Sequence, residues 1–426
     1  MRLAIKKKKL FGVAIVTIIH LMALIVYEIQ LVVTNAYVGF LPHQFGLLYL
    51  LRILVGIVAI SFVIPEDYVI PSDYLSFIYS VFVLAPFVFF GDENQGFVVF
   101  LSGVLLMSVP LVFIRKMAYI RIDIVKIGLY SERWMIMILG FIVVLSLAAM
   151  YVNAPIASGF SLNDSYTRRM EGRDIFLARS PIAYAISATA NGIGPFMAFV
   201  AGYKRRRLMF LVVLLIPFVL YYVLGLKAPV AYVCLSFVYG ILVFRRQLGK
   251  LPTYIFLIIL FMFAVFIVEQ LLFGYSMSGE YVFRRFFVVN GRNMEKYMEM
   301  IFGNYGWSAL QGVRFEKGAA YYVGKLFYTE DSNVNTNALL FSFASGGVVL
   351  YAFIVFLVGI YYALIDCYYR KYKDPFFLFL GLFYALLITE QAATTALATS
   401  GYALLFLALA MKSGKKKLRT TLSLNK

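Results

Sequence analysis

Charge is scarce in this chain, and acid is scarcer than base. Of 426 residues, 14% are Asp, Glu, Lys or Arg and 62% are apolar. That balance excludes a water-soluble globular protein. It fits a polytopic membrane protein, in which each span satisfies its own backbone hydrogen bonds. There are 2 histidines, too few for a His-rich metal site. There are 2 cysteines. Cys234 falls inside one apolar run and Cys367 just past another, toward opposite membrane faces, which argues against a disulfide. No nucleotide-binding glycine loop, zinc-binding helix or nucleophile elbow stands in a fitting position. Any chemistry must therefore rest on positioning and electrostatics. Repeats, low-complexity segments and a separate soluble domain are also missing.

What is present is a series of long apolar runs. They recur at residues 10–33, 45–64, 74–90, 96–114, 134–152, 181–202, 208–224, 229–244, 251–271, 338–365, 375–391 and 394–411. The fold class expected is an all-α polytopic integral membrane protein of about twelve transmembrane helices, forming one domain over 1–426. The N-terminal apolar run is about twice as long as a signal-peptide core, so it reads as a retained first span. The net charge of +18 is not a nucleic-acid footprint. Lysine and arginine gather in alternate short links, among them Lys6–Lys9, Arg115-Lys116, Lys204–Arg207 and Lys415–Lys417. The positive-inside rule then places both termini in the cytoplasm. Two long outer segments remain, 153–180 and 272–337.

Arginines outside break that rule and are informative. The first outer segment has Arg168, Arg169, Arg173 and Arg179; the second has Arg284, Arg285, Arg292 and Arg314. A planar guanidinium matches paired phosphate oxygens. Pairing with nearby acids, such as Asp164, Glu171, Glu280, Glu295 and Glu316, is the other use open to them. Residues 292–302 read as a helix, with Met294, Tyr297, Met298, Ile301 and Phe302 on one face and Arg292, Glu295, Lys296 and Glu299 on the other. Asn290-Gly291 and Gly303-Asn304 bound it. It would lie at the membrane surface, lid a cavity, or pack on the bundle with a solvated charged face. Arg52 sits about 10 Å inside span two. Left unpaired there it would cost about 2.5–3.5 kcal/mol. A pair with Glu28 and a contact with diphosphate are both open. Glu269 and Glu390 sit near outer span ends. His43 is outside, either a base or an inert loop group. His20, mid-span, reads as packed and hydrogen-bonded.

The second outer segment carries a further pattern. Tyr281-Val282-Phe283 precedes Arg284-Arg285, and the amphipathic helix follows. Then come Tyr322-Val323-Gly324 and Asn335-Thr336-Asn337, leading into Phe343-Ala344-Ser345-Gly346-Gly347. In this the chain resembles the Wzy-type O-antigen and capsule repeat-unit polymerases. The resemblance implies membrane glycosyltransferase C (GT-C) architecture in a bacterial inner membrane. It also implies a reaction on the periplasmic face. A glycan on undecaprenyl diphosphate is the donor, a hydroxyl of the next lipid-linked repeat unit attacks its anomeric carbon, and the lipid diphosphate leaves. No cofactor, metal or nucleic acid is implied; a flippase and a chain-length-regulating membrane protein are the implied partners. On this reading Arg284, Arg285 and Arg314 stabilise the leaving diphosphate and Glu280 serves the acceptor hydroxyl. Arg52, Arg168, Arg173, Arg179 and Arg292 add phosphate contacts, while Asn335 and Asn337 bind sugar or cap span ten. The related O-antigen ligases use an outer histidine in the large loop, and this chain has none there. A lipid-linked oligosaccharide flippase is the rival from another class.

Overall fold

The computed structural model describes residues 2–91, 96–120, 122–124, 127–153, 159–161, 164–176, 180–304, 310–311, 318–328 and 333–412. The fold is all-helical. Among the described residues, extended pairing is limited to one isolated bridge between Tyr130 and Lys412. In chain order the helices are α1 Lys8–Thr34, α2 Leu47–Val63, α3 Pro71–Phe90, α4 Phe97–Ala118, α5 Glu132–Val152, α6 Ser165–Ile175, α7 Pro181–Tyr203 and α8 Arg207–Leu224. There follow α9 Ala228–Phe244, α10 Leu248–Phe273, α11 279–304, α12 Ala319–Phe327, α13 Ala338–Tyr372, α14 Phe376–Ile388, α15 Ala393–Ala398 and α16 Tyr402–Met411. Among these, 8 are long and apolar enough to cross a membrane: α1, α3, α4, α5, α7, α8, α10 and α13. The shorter apolar helices α2, α9, α14 and α16 stand at the other expected span positions.

Helix α3 is the hub, and its sequence explains why. Its hydropathy is 1.7, below the 2.8 of α10, yet 94% of α3 is buried against 11% of α10. Polar groups cannot face hydrocarbon unpaired, so a helix that carries them must find protein partners. Ser72 gives its N–H and hydroxyl to Asp366, at 3.1 and 2.6 Å. The Tyr79 hydroxyl donates to Asn337 at 2.6 Å. Helix α10 carries few polar groups, packs chiefly along α1 and α11 among the described residues, and turns most of its apolar surface outward. Helices α7 and α9 cross most closely. A methyl group on Gly202 would lie 2.1 Å from the Phe237 carbonyl oxygen, and one on Gly240 would lie 2.3 Å from that of Phe199. This is small-residue packing of membrane helices.

The second outer segment is not an open loop where it is described. Helix α11 runs unbroken through Asn290-Gly291, contrary to the expected stop. Gly291 is required for contact rather than for a break. A side chain there would sit 2.3 Å from the carbonyl oxygen of Pro86, where α11 lies against the end of α3. The charged face of α11 is divided: Arg292 is 8% exposed and Glu295 2%, while Lys296 and Glu299 pair with each other on the open side.

Helix α13 is broken inside. Gly346 and Gly347 leave helical geometry, and Gly347 takes φ 61° and ψ −154°, a region essentially restricted to glycine. At the end of the bundle away from residue 335, charges pair off. Lys8 meets Asp67 and Lys371 meets Asp123 at 2.8 Å, Lys412 meets Asp374 at 2.7 Å, and Lys204 meets Glu132. Both cysteines are free.

Candidate active site

At the end of the bundle that carries residue 335, a cavity of about 440 Å³ opens between α6, the start of α7, the α8–α9 turn and the turn after α14. Its polar wall is Arg169, Asn191, Tyr232, Asn335, Glu390 and Gln391. Three pieces of backbone hold these groups in place. Helix α6 is laid across the end of α8. The Arg168 guanidinium donates to the Ser161 carbonyl at 2.8 Å and lies 5.5 Å over the Tyr221 ring. The chain before α13 is clamped to α11 and α12. Tyr297 donates to the Val334 carbonyl at 2.9 Å, Asn293 to that of Asn335 at 3.2 Å, and Val334 N–H to Ala320 at 3.0 Å. After α14 the chain turns on Thr389–Gln391, and Gln391 donates to Ser400 at 3.3 Å.

The two Arg-Arg pairs each divide in the same way. Neighbours on a helix point about 100° apart, so one can face the protein while the other faces away. Arg168 is 1% exposed and tied down as described, whereas Arg169 is exposed and faces the cavity. Arg284 is ion-paired with Glu280, both side chains largely buried. Arg285 is exposed. Neither Arg169 nor Arg285 has a hydrogen bond or ion pair to any described residue. The Arg285 charge reaches Glu390 on the cavity wall.

Glu390 is open to the cavity yet hemmed in by protein. That confinement pushes its carboxyl above the ordinary glutamate range, and Arg285 pulls part of the way back. It is the one carboxylate among the described residues lining the cavity. Among the described residues no three His, Cys, Asp or Glu side chains come together as metal ligands.

Comparison with known protein families, curated proteins and solved structures finds no match.

The remaining expected site residues separate by what they touch. Glu280, expected to serve the acceptor, has both oxygens engaged, one by Arg284 and the other by Asn35 Nδ2 at 3.1 Å. Arg292 turns into the bundle, donating to the Tyr27 hydroxyl at 2.7 Å and pairing with Glu295 at 3.4 Å. Arg52 is 2% exposed, its guanidinium 5.2 Å from the Phe100 ring centre. Glu28, weighed above as its partner, is bonded to His43 Nδ1 at 2.6 Å. Asn337 caps α13, accepting from Leu340 N–H at 3.1 Å and from Tyr79 at 2.6 Å. Asn335 keeps an exposed side chain on the cavity. Arg173 lies on α6 one turn beyond Arg169, but its side chain is outside the described residues, as are Arg179 and Arg314 altogether. His20 is buried, bonded to the Val16 carbonyl at 2.7 Å.

Sequence reasoning did not single out Tyr232 or Asn191. Arg169 was visible as one of the outer arginines, Asn335 as a sugar-binding candidate and Glu390 as an acid at a span end. Tyr232 and Asn191 become wall residues through helix rotation, which apolar periodicity sets only to within a face.

Proposed function

We propose that the protein is a membrane glycosyltransferase that polymerises undecaprenyl-diphosphate-linked oligosaccharide repeat units on the extracytoplasmic face of a bacterial inner membrane. The observation that carries this reading is the cavity itself. The Arg169 guanidinium, with no hydrogen bond or ion pair to a described residue, lines it beside the Glu390 carboxylate and the amides of Asn191 and Asn335, and the charge of Arg285 is felt at Glu390. A lipid diphosphate developing negative charge as it leaves needs such cations. Each charge-assisted bond contributes about 1.5–3 kcal/mol. Arg169 and Arg285 take the leaving diphosphate, and Asn335 and Asn191 offer amides to sugar hydroxyls. Arg284, Arg168 and Arg292 hold the frame that presents them.

Sidedness supports the same reading. The cavity lies at the end opposite the basic clusters that the positive-inside rule assigns to the cytoplasm. The 8 long apolar helices are crossings by length and composition, and counting the four shorter apolar helices as further crossings would give the twelve that a GT-C-like architecture calls for. Catalysis is a single inverting displacement. The acceptor oxygen bonds to the anomeric carbon while the carbon–oxygen bond to diphosphate breaks.

The direct experiment combines purified protein with lipid-diphosphate-linked repeat units and resolves the products on a gel. A ladder of increasing chain length is expected. A single product on lipid A–core would instead identify a ligase. Translocation across vesicles without a new glycosidic bond would identify a flippase, and either result overturns the polymerase assignment.

A further inference from the structure

The reaction needs a group to receive the proton of the attacking hydroxyl, and Glu280, the first candidate by sequence, is already held on both oxygens. We infer that Glu390 is the general base, taking the acceptor hydroxyl proton as the new glycosidic bond forms in the cavity. This inference rests on the polymerase reading and assigns a residue that reading does not require.

The geometry singles Glu390 out. No other described carboxylate lines the cavity. It has neither an ion pair nor a side-chain hydrogen bond to any described residue, so its oxygens are available. It stands in a turn fixed on both sides, by α14 before it and by Gln391 on Ser400 after it. The groups that act with it electrostatically are Arg285 on α11 and Tyr232 on α9, and Arg169 on α6 lines the same cavity. A carboxylate on the same cavity wall as Arg169, and within reach of the Arg285 charge, can hold an acceptor hydroxyl while the cations hold the departing diphosphate. The balance is simple. The acceptor O–H proton passes to the Glu390 carboxylate, the acceptor oxygen bonds to the anomeric carbon, and the bonding pair of the broken C–O bond leaves with the lipid diphosphate. Glu390 then returns its proton to water.

Confinement also suits the carboxyl to this work. A base with a raised affinity for protons is a better acceptor than a free glutamate, provided the pH stays above its titration. The kcat profile should therefore fall on the acid side, with a midpoint above that of an unperturbed carboxyl.

The test uses the full-length protein in nanodiscs with lipid-diphosphate-linked repeat units. Wild type must first build the ladder, since its absence sinks the polymerase reading and leaves nothing for a base to do. Given the ladder, Glu390→Gln should lower kcat by about 10²- to 10⁴-fold. KM for the donor should stay within about threefold, because the cations remain. Glu390→Asp should keep more activity than Glu390→Gln. Turnover by Glu390→Gln close to wild type, or a loss confined to donor KM, overturns the assignment while leaving the polymerase reading intact. If Glu390→Gln does not fold, the wild-type profile decides. An acid limb in kcat is expected, and a rate flat from about pH 4.5 to 8 rules Glu390 out.

Discussion

Arg284 and Arg285 are adjacent in sequence, and replacing each with alanine should produce opposite defects. Arg285 has no partner among the described residues, so Arg285→Ala removes nothing that holds the fold. Its stability should stay within about 0.5 kcal/mol of wild type, as for an exposed substitution. Its turnover should fall by about 10- to 150-fold, the equivalent of one charge-assisted bond of about 1.5–3 kcal/mol to the leaving group. Arg284→Ala strips Glu280 of its ion-pair partner and leaves it only Asn35 at 3.1 Å. The two side chains are 17% and 16% exposed, between the buried and the surface limits. Breaking a buried pair costs about 3–5 kcal/mol. An exposed pair is worth about 0–1. A loss of about 2 kcal/mol follows for this intermediate case. Adding Glu280→Gln should recover most of it, because the stranded charge disappears. Thermal unfolding in detergent and turnover in nanodiscs, measured on the same preparations, separate the two outcomes. Full turnover by Arg285→Ala, or an inactive Arg284→Ala that melts with wild type, would refute the division of the pair.

Other changes have equally definite outcomes. Arg169→Ala should leave the melting temperature unchanged and raise donor KM or lower kcat by about tenfold or more, read in the ladder assay. Asn337→Ala removes the cap of α13 and strands the buried Tyr79 hydroxyl. About 1 kcal/mol for the cap and about 1–3 for the hydroxyl should appear as lowered thermal stability. Gly347→Ala must adopt a backbone nearly closed to side chains, at a cost of about 1–3 kcal/mol. Limited proteolysis near the break should speed up accordingly. Gly202→Leu would force α7 away from α9 and should lose about 1–3 kcal/mol or more, seen as poor recovery after extraction.

The apolar runs were plain in the sequence because hydrocarbon imposes length and composition on every span. Rotation was harder to read. The i,i+4 spacing favours Arg284 over Arg285 for Glu280, but which of the two faces the cavity depends on how α11 lies against α1 and α3. Gly291 misled for a related reason. A glycine after an asparagine marks a chain break in water, but here the missing side chain admits the Pro86 carbonyl. Glu280 was favoured by its distance along the chain, whereas Glu390, more than a hundred residues away, is the carboxylate that reaches the cavity. The placement of α11 was open between surface, lid and bundle; Arg292 turns inside the bundle to Glu295 and Tyr27, while Glu299 stays exposed. The Arg292–Glu295 spacing is local, but the contact with Tyr27, which carries the pair inside, is tertiary and leaves no mark in local periodicity.

The least buried of the long apolar helices has its own consequence. Over its 26 residues α10 is about 39 Å long, against a hydrocarbon thickness of about 30 Å. It must lean to fit, and a thinner bilayer makes it lean further. Its last turn is stitched to the start of α11 through Glu269, which accepts from the Ser276 hydroxyl at 2.5 Å and from Ser278 N–H at 3.0 Å. The lean of α10 is therefore transmitted to the helix that carries Arg285, so acyl-chain length in the surrounding lipid becomes a variable of turnover.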